Sequence, residues 1–260
     1  MICAGIDAGS RAIKVVLIDR DTREVIATGE ADQGVRQGEL ATVLFERVLA
    51  ERGLARSDVA FIVGTGYARN IVPIADTTIT EITCHAVGVH HRDPEARTIV
   101  EIGGQDSKLI RLDADGSVRD FAMNDRCAAG TGRFLEMIAS RLEVGLDRLG
   151  EMAATSERPA AINSTCAVFA ETEIIGLLAG GTSAEDIVAG VQTSIATRVA
   201  AMAGGRLTEP VVFTGGVARI PGMGRALTEA LGHPVAGVPD PVTTGALGAA
   251  ILAGRRAGGP

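Results

Sequence analysis

The sequence predicts an α/β protein built as two like domains facing across a cleft. Three observations predict it. Strand and helix patterns recur in the same order in each half, and the opening hairpins of the halves align. Both copies of lysine, a residue the chain otherwise replaces with arginine, fall in those hairpins. IDAGSRAIKVVLID and EIGGQDSKLIRLD each set an acid, then a glycine, then a lysine in the second strand. The halves divide into residues 1–97 and 98–260.

In the first half, ICAGIDA reads as a buried strand, Gly9 and Ser10 turn, and AIKVVLID returns as a second strand. EVIATGEA is a third. From Glu39 to Arg52 the apolar positions Leu40, Val43, Leu44, Val48 and Leu49 have helical spacing. AFIVGTG is a strand running into a glycine turn, and TTITEITCHAVGVHH passes from an extended piece into a helix. The second half opens with three strands in TIVEIGGQDSKLIRLDADGSVRDFAMN, turning at Asp113 to Gly116. Helices follow from about Thr131 and Phe169. A longer one runs from Ser183 to Ala203, with Thr182, Ser183, Glu185 and Asp186 at its cap and first turn. Its apolar positions Ile187, Val188, Val191, Ile195, Val199 and Met202 read as core. EPVVFTGG is a strand ending in paired glycines, followed by a helix near Met223 to Leu231, a short strand at PVAGV and a last helix from Val242 to Ala253. Arg255 and Arg256 fall in a solvated tail.

Composition narrows the function classes. A net charge of −7 offers no basic surface to nucleic acid, and with no Trp and one Tyr there is no stacking platform for bases or sugars. No apolar run reaches the ~18 residues of a membrane span, and MICAGIDAGS has neither a charged leader nor a cleavage site. These features predict a cytoplasmic protein whose four cysteines are reduced unless they bind metal. Cys3 and Cys84 read as core, and the four histidines show no metal-like grouping.

Each hairpin has the chemistry of a phosphate loop. In Asp7-Ala8-Gly9-Ser10, closing on Lys14, the glycine lets backbone N–H groups approach phosphate oxygens. Glu101-Ile102-Gly103-Gly104-Gln105-Asp106 with Lys108 repeats the device. Carboxylates repel phosphate, so Asp7, Glu101 and Asp106 fit a Mg²⁺ ion or its waters, and Gln105 fits the orientation of an attacking water. Thr214-Gly215-Gly216 after a strand completes the set.

The stretch MNDRCAAGTGRFLE, Met123 to Glu136, sets Cys127 shortly before a helix start whose exposed N–H groups favour a thiolate. In INSTCAVFAETEIIGLL, Asn163, Ser164 and Thr165 are capping residue types and Cys166 sits at another helix mouth. One cysteine near a helix commonly fills a core. Two at helix mouths suggest a site, but two ligands cannot close a tetrahedral centre. If the pair binds metal, a second chain supplies the rest, and four thiolates are the usual set for a [4Fe-4S] cluster.

The paired hairpins and TGG strand resemble the ATPase fold of actin, sugar and acetate kinases and heat-shock chaperones. EIGGQDSK, MNDRCAAGTGRFLE, NSTCAVFAETEIIGLLAGG and VVFTGGVA are similar to the BadF/BadG/BcrA/BcrD ATPase family over nearly the whole chain. Its single-domain length looks most like the activators of 2-hydroxyacyl-CoA dehydratases. The resemblance implies ATP or ADP with Mg²⁺ at Asp7, Ser10, Gln105 and Asp106. It implies Gly215 and Gly216 at the adenosine, with one [4Fe-4S] cluster held by Cys127 and Cys166 from each subunit of a homodimer. Glu101 stands where the family would carry Asp at least as often. It further implies a single low-potential electron passed to a dehydratase, with ferredoxin or flavodoxin as donor. Met123 to Phe134 would couple the nucleotide to the cluster. Two other readings remain: the ATPase component of a benzoyl-CoA reductase, paired with a related chain, and a small-molecule kinase in which both cysteines are incidental.

Overall fold

In this computed structural model, residues 1–124, 127–164, 166–205 and 207–258 are described. The chain forms two compact units. The first comprises Met1–Ala96, Leu112–Arg119 and Val238–Pro260, and the second Arg97–Arg111 and Asp120–Gly237.

The first unit is a five-stranded sheet with helices on both faces. Its strands are β1 (Ile2–Ala8), β2 (Ala12–Asp19), β3 (Val25–Asp32), β4 (Val59–Thr65) and β5 (Thr77–Thr78), in the order β3-β2-β1-β4-β5. β1 pairs antiparallel with β2 and parallel with β4. A strand covered on both faces is apolar throughout rather than alternating, which is why ICAGIDA shows no clear period. Ala4, Ile6 and Ala8 enter one core with Leu44, Phe45 and Val48 of α1 (Gln37–Ala50). Cys3, Val16 and Ile18 enter a second core on the opposite side. That second core holds Cys84 of α2 (Glu81–Arg92) and the Ala- and Leu-rich face of a helix at Thr244–Ala257.

The second unit repeats the plan. β6 (Thr98–Ile102), β7 (Ser107–Leu112), β8 (Val118–Asn124), β9 (Val211–Thr214) and β10 (Val235–Gly237) lie in the order β10-β9-β6-β7-β8. β6 pairs antiparallel with β7 and parallel with β9, as β1 does with β2 and β4. The repeat seen in the two hairpins therefore extends through the sheet order of both units. Five helices fill out this unit: α3 (Gly132–Arg141), α4 (Leu149–Ala154), α5 (Ala167–Ala179), α6 (Ala184–Ala203) and α7 (Met223–Leu231). α6 is the core helix its spacing predicts, with Ile187, Val188, Val191, Ile195 and Val199 buried, and the Ser183 hydroxyl accepts from the Asp186 N–H at 3.1 Å. Met202 is half-buried.

Some details differ from the sequence reading. α4 is a six-residue helix too short to show a period. The last helix, α8 (Thr244–Ala257), belongs to the first unit although it ends the second half of the sequence. It carries Arg255 and Arg256 in its last turn rather than in a tail, where cations suit the helix dipole. Its return follows from its small residues. A Cβ on Gly248 would stand 1.8 Å from the Cys84 carbonyl oxygen, one on Gly88 1.9 Å from that of Thr244, and one on Gly5 1.9 Å from that of Ala246. α8 thus touches α2 and β1 backbone to backbone. Gly88→Ala or Gly248→Ala should therefore cost about 2–3 kcal/mol by forcing α2 and α8 apart. Urea unfolding would read this as a lower midpoint at unchanged slope.

Candidate functional site

The first candidate phosphate hairpin lies in the first unit. Asp7 and Lys14 are directly opposed across β1 and β2, with Nζ 3.2 Å from Oδ2. Gly9 N–H donates to the Ala12 carbonyl at 3.1 Å and closes the turn that carries Ser10. The Gln33 side chain donates to the Gly9 carbonyl at 2.8 Å. Two neighbours that sequence reading did not assign to the site stand beside Asp7. Gly66 has φ +90°, and a Cβ there would lie 2.3 Å from Asp7 Oδ1. His85 Nδ1 is 3.0 Å from the Thr244 hydroxyl, and a Cβ on Gly245 would lie 3.2 Å from His85 Nε2 and 3.3 Å from Asp7 Oδ2. The glycine turn after AFIVGTG was the available signal for Gly66. His85 gave none.

The second hairpin has the same register. Glu101 faces Lys108 across β6 and β7. Lys108 is 2 % exposed, and its ammonium donates to Glu101 Oε2 at 2.8 Å and to Asp106 Oδ2 at 2.7 Å. The second oxygens of both carboxylates gather at Gly103, where a Cβ would stand 2.8 Å from Asp106 Oδ1 and 3.3 Å from Glu101 Oε1. Thr214 pairs with Glu101 from β9, and Gly215 follows at φ +93°, its Cβ position 2.7 Å from Glu101 Oε1. Gly216 opens a 3-10 turn, and Gln105 is exposed at the hairpin tip beside Gly104. This unit therefore brings Glu101, Gly103, Gly104, Asp106, Lys108, Thr214, Gly215 and Gly216 to one end of its sheet.

Both candidate cysteines belong to the second unit and are half-buried. Cys127 caps a 3-10 turn at Ala128–Gly130 that leads into α3. Asn124 grips it, accepting from the Cys127 N–H and donating to its carbonyl, each at 3.2 Å. The expectation of exposed N–H groups at this helix start is corrected by the structure. Gly132 N–H donates to the Gly103 carbonyl and Arg133 N–H to that of Gly104, each at 2.9 Å, while Gly130 and Thr131 bond within the turn. The Gly132 and Arg133 donors bind the carbonyls of the second hairpin rather than the thiol.

Cys166 is the N-cap residue of α5, which has no side-chain cap. Asn163 and Ser164 do not cap this helix; their N–H groups donate to the Glu173 carboxylate, each at 2.9 Å, and Thr165 lies outside the described residues. Burial works against ionisation of Glu173, but these hydrogen bonds outweigh it and hold its carboxyl below the ordinary range. Cys3 and Cys84 are core residues: burial raises both thiols, that of Cys84 to about 12. Among the described residues no group of three or more His, Cys, Asp or Glu side chains gathers as a metal set, and no helix is long and apolar enough to cross a membrane.

A family model described as the BadF/BadG/BcrA/BcrD ATPase family matches residues 4–253. The chain belongs to this ATPase family. It is 44% identical over 254 residues to an activator of lactoyl-CoA dehydratase from Anaerotignum propionicum, covering 97% of each chain. It is 34% identical to one of the subunits of benzoyl-CoA reductase from Thauera aromatica, covering 96% of this chain and 92% of that one. Among solved structures it superposes with a TM-score of 0.93 on the activator of the 2-hydroxyisocaproyl-CoA dehydratase from Clostridium difficile with bound ADPNP, at 40% identity and covering 99% and 96% of the two chains. The ethanolamine utilization protein EutJ from Carboxydothermus hydrogenoformans, at TM-score 0.65 and 16% identity, and a ROK hexokinase from Thermus thermophilus, at 0.53 and 17%, share the fold alone. The fold is thus that of the actin-like ATPases and sugar kinases, as the hairpins imply.

Removing the cation that bridges buried Glu101 and half-buried Asp106 breaks both ion pairs, so Lys108→Met should destabilise the folded chain by about 3–5 kcal/mol near neutral pH, read as a lower urea midpoint. Glu173→Gln turns one acceptor into a donor facing an N–H and should cost about 1–2 kcal/mol. Because the folded carboxyl is depressed, Glu173 stabilises at pH 6 and above. Its contribution fades as pH falls through the carboxylate range, so wild type and variant should converge in acid.

Proposed function

We propose that this protein is an ATP-hydrolysing iron–sulfur activator that passes a single low-potential electron to a 2-hydroxyacyl-CoA dehydratase. The observation that carries the reading is the pair of hydrogen bonds from Gly132 and Arg133 to the carbonyls of Gly103 and Gly104. They fasten the helix that follows the Cys127 turn to the loop expected to hold phosphate. A shift of that loop when nucleotide binds or is hydrolysed is passed through α3 and the turn to Cys127.

The Asp7–Lys14 and Glu101–Lys108 hairpins would bind ATP. Gly9, Ser10, Gly103 and Gly104 would present backbone to the phosphates, Gln105 would orient water, and Gly215 and Gly216 would lie at the adenosine. Hard oxygen donors suit Mg²⁺. Lys14 takes one oxygen of Asp7, and Lys108 one each of Glu101 and Asp106, and these three acids would hold the ion or its waters.

The cysteines fit a soft, shared centre. One chain offers two thiolates, and a [4Fe-4S] cluster bound by Cys127 and Cys166 of two copies would supply the one-electron couple. Support for a second copy comes from apolar residues left at the surface around both positions. Val168 and Phe169 beside Cys166, and Phe121 and Met123 ahead of Cys127, are 69, 68, 53 and 41% exposed. Such residues favour burial against a partner. A ferredoxin or flavodoxin would reload the centre in an oxygen-free cytoplasm.

The likeness to a benzoyl-CoA reductase chain favours one second reading, in which a related chain replaces the second copy. Purification without oxygen separates the readings. A homodimer with about four irons and four sulfides per two chains, lost in Cys127→Ser or Cys166→Ser, is the expected result. A distinct second chain that co-purifies would favour the reductase, and a colourless protein that still hydrolyses ATP would overturn both.

A further inference from the structure

α6 carries one basic residue, Arg198, and it reaches both cysteine segments. Its Nη2 donates to the Ser164 carbonyl at 2.9 Å, two residues before Cys166. The same peptide segment is held at the Ser164 N–H by Glu173. The stem of Arg198 lies against the turn that follows Cys127. A Cβ on Gly130 would stand 3.6 Å from Arg198 Cδ and 3.9 Å from its Cβ, with the Asn124 amide 2.9 Å away on the other side. Glycine at 130 is what lets the Asn124 amide close on that turn, while the Arg198 stem packs there at ordinary contact distance.

The charge of Arg198 is not accounted for by this arrangement. Its Nε is buried and has no hydrogen-bond partner, and among the described residues no carboxylate pairs with its guanidinium. A buried donor on a cation left without an acceptor is costly, and native structures rarely keep one without a reason. Metal-bound thiolates on the two segments that Arg198 braces would supply a matching negative charge.

We infer that Arg198 is a positioning residue for the two-cysteine centre and its counter-charge. Arg198 sets the spacing of Cys127 and Cys166 within one chain, its guanidinium holding Ser164 and its stem packing under Gly130. Its positive charge offsets that of the thiolates and favours the reduced, more negative state of whatever they bind. The inference rests on the iron–sulfur reading for its redox part and on geometry alone for the brace.

Arg198→Met keeps the apolar stem and removes charge and donors, while Arg198→Lys keeps the charge. In iron-free protein, amide exchange at 128–130 and 163–164 should quicken at least tenfold in the Met variant, with the melting temperature reporting that the fold survives. In anaerobically loaded protein the Met variant should be tenfold harder to reduce, a midpoint lower by ~59 mV, and the Lys variant should stay within threefold of wild type. Wild-type exchange in the Met variant overturns the brace. A wild-type potential in the Met variant, or a Lys variant shifted as far as Met, overturns the counter-charge. Wild-type protein that holds no iron would fail the iron–sulfur reading instead, and with it the counter-charge, while the exchange result still decides the brace.

Discussion

One lysine set directly opposite one acid, in the first antiparallel hairpin of each unit, is the constraint on which the sites depend. Asp7 with Lys14 and Glu101 with Lys108 are cross-strand partners in the same register. The pairing does two things. It neutralises carboxylates that β1 and β6 carry into the interior, where an unpaired charge is expensive. It also takes one oxygen of each acid and leaves the other directed at a glycine: Gly66 for Asp7, Gly103 and Gly215 for Glu101. Ammonium is a compact point charge, whereas a guanidinium would claim both oxygens in a fork. That difference explains why a chain rich in arginine places its two lysines here.

From the second hairpin the order runs outward without a break. Gly103 and Gly104 hold the start of α3, the 3-10 turn before it holds Cys127, and Arg198 and Glu173 hold the segment entering Cys166. Hydrogen bonds to backbone make these joints, and under the proposed coupling a change at the hairpin would arrive at the cysteines as a displacement.

Much of this was legible in the sequence because it depends on local pattern. Asp7 and Lys14, like Glu101 and Lys108, are seven residues apart around a glycine turn, and a hairpin puts such residues face to face. The repeat appeared because both halves reuse that hairpin, and α6 appeared because its apolar period is long and its cap is a serine. What stayed hidden depends on contacts remote in sequence. Nothing in TGALGAAILAG says that it returns to the first sheet; that follows from Gly88 and Gly248, which let two helix backbones meet. The N–H groups of Gly132 and Arg133 read as exposed because their acceptors lie near residue 103. Arg198 gave no signal, since its partners Ser164 and Gly130 belong to other segments. Family membership supports the fold and the ATPase class, while the cysteine chemistry still rests on residues in this chain.

The most direct test of the account is the midpoint potential of the anaerobically purified protein with ADP and with a non-hydrolysable ATP analogue. If the hairpin moves the Cys127 turn through α3, the two potentials differ by at least a tenfold change in the one-electron equilibrium, ~59 mV. Equal potentials, with both nucleotides bound, would contradict it.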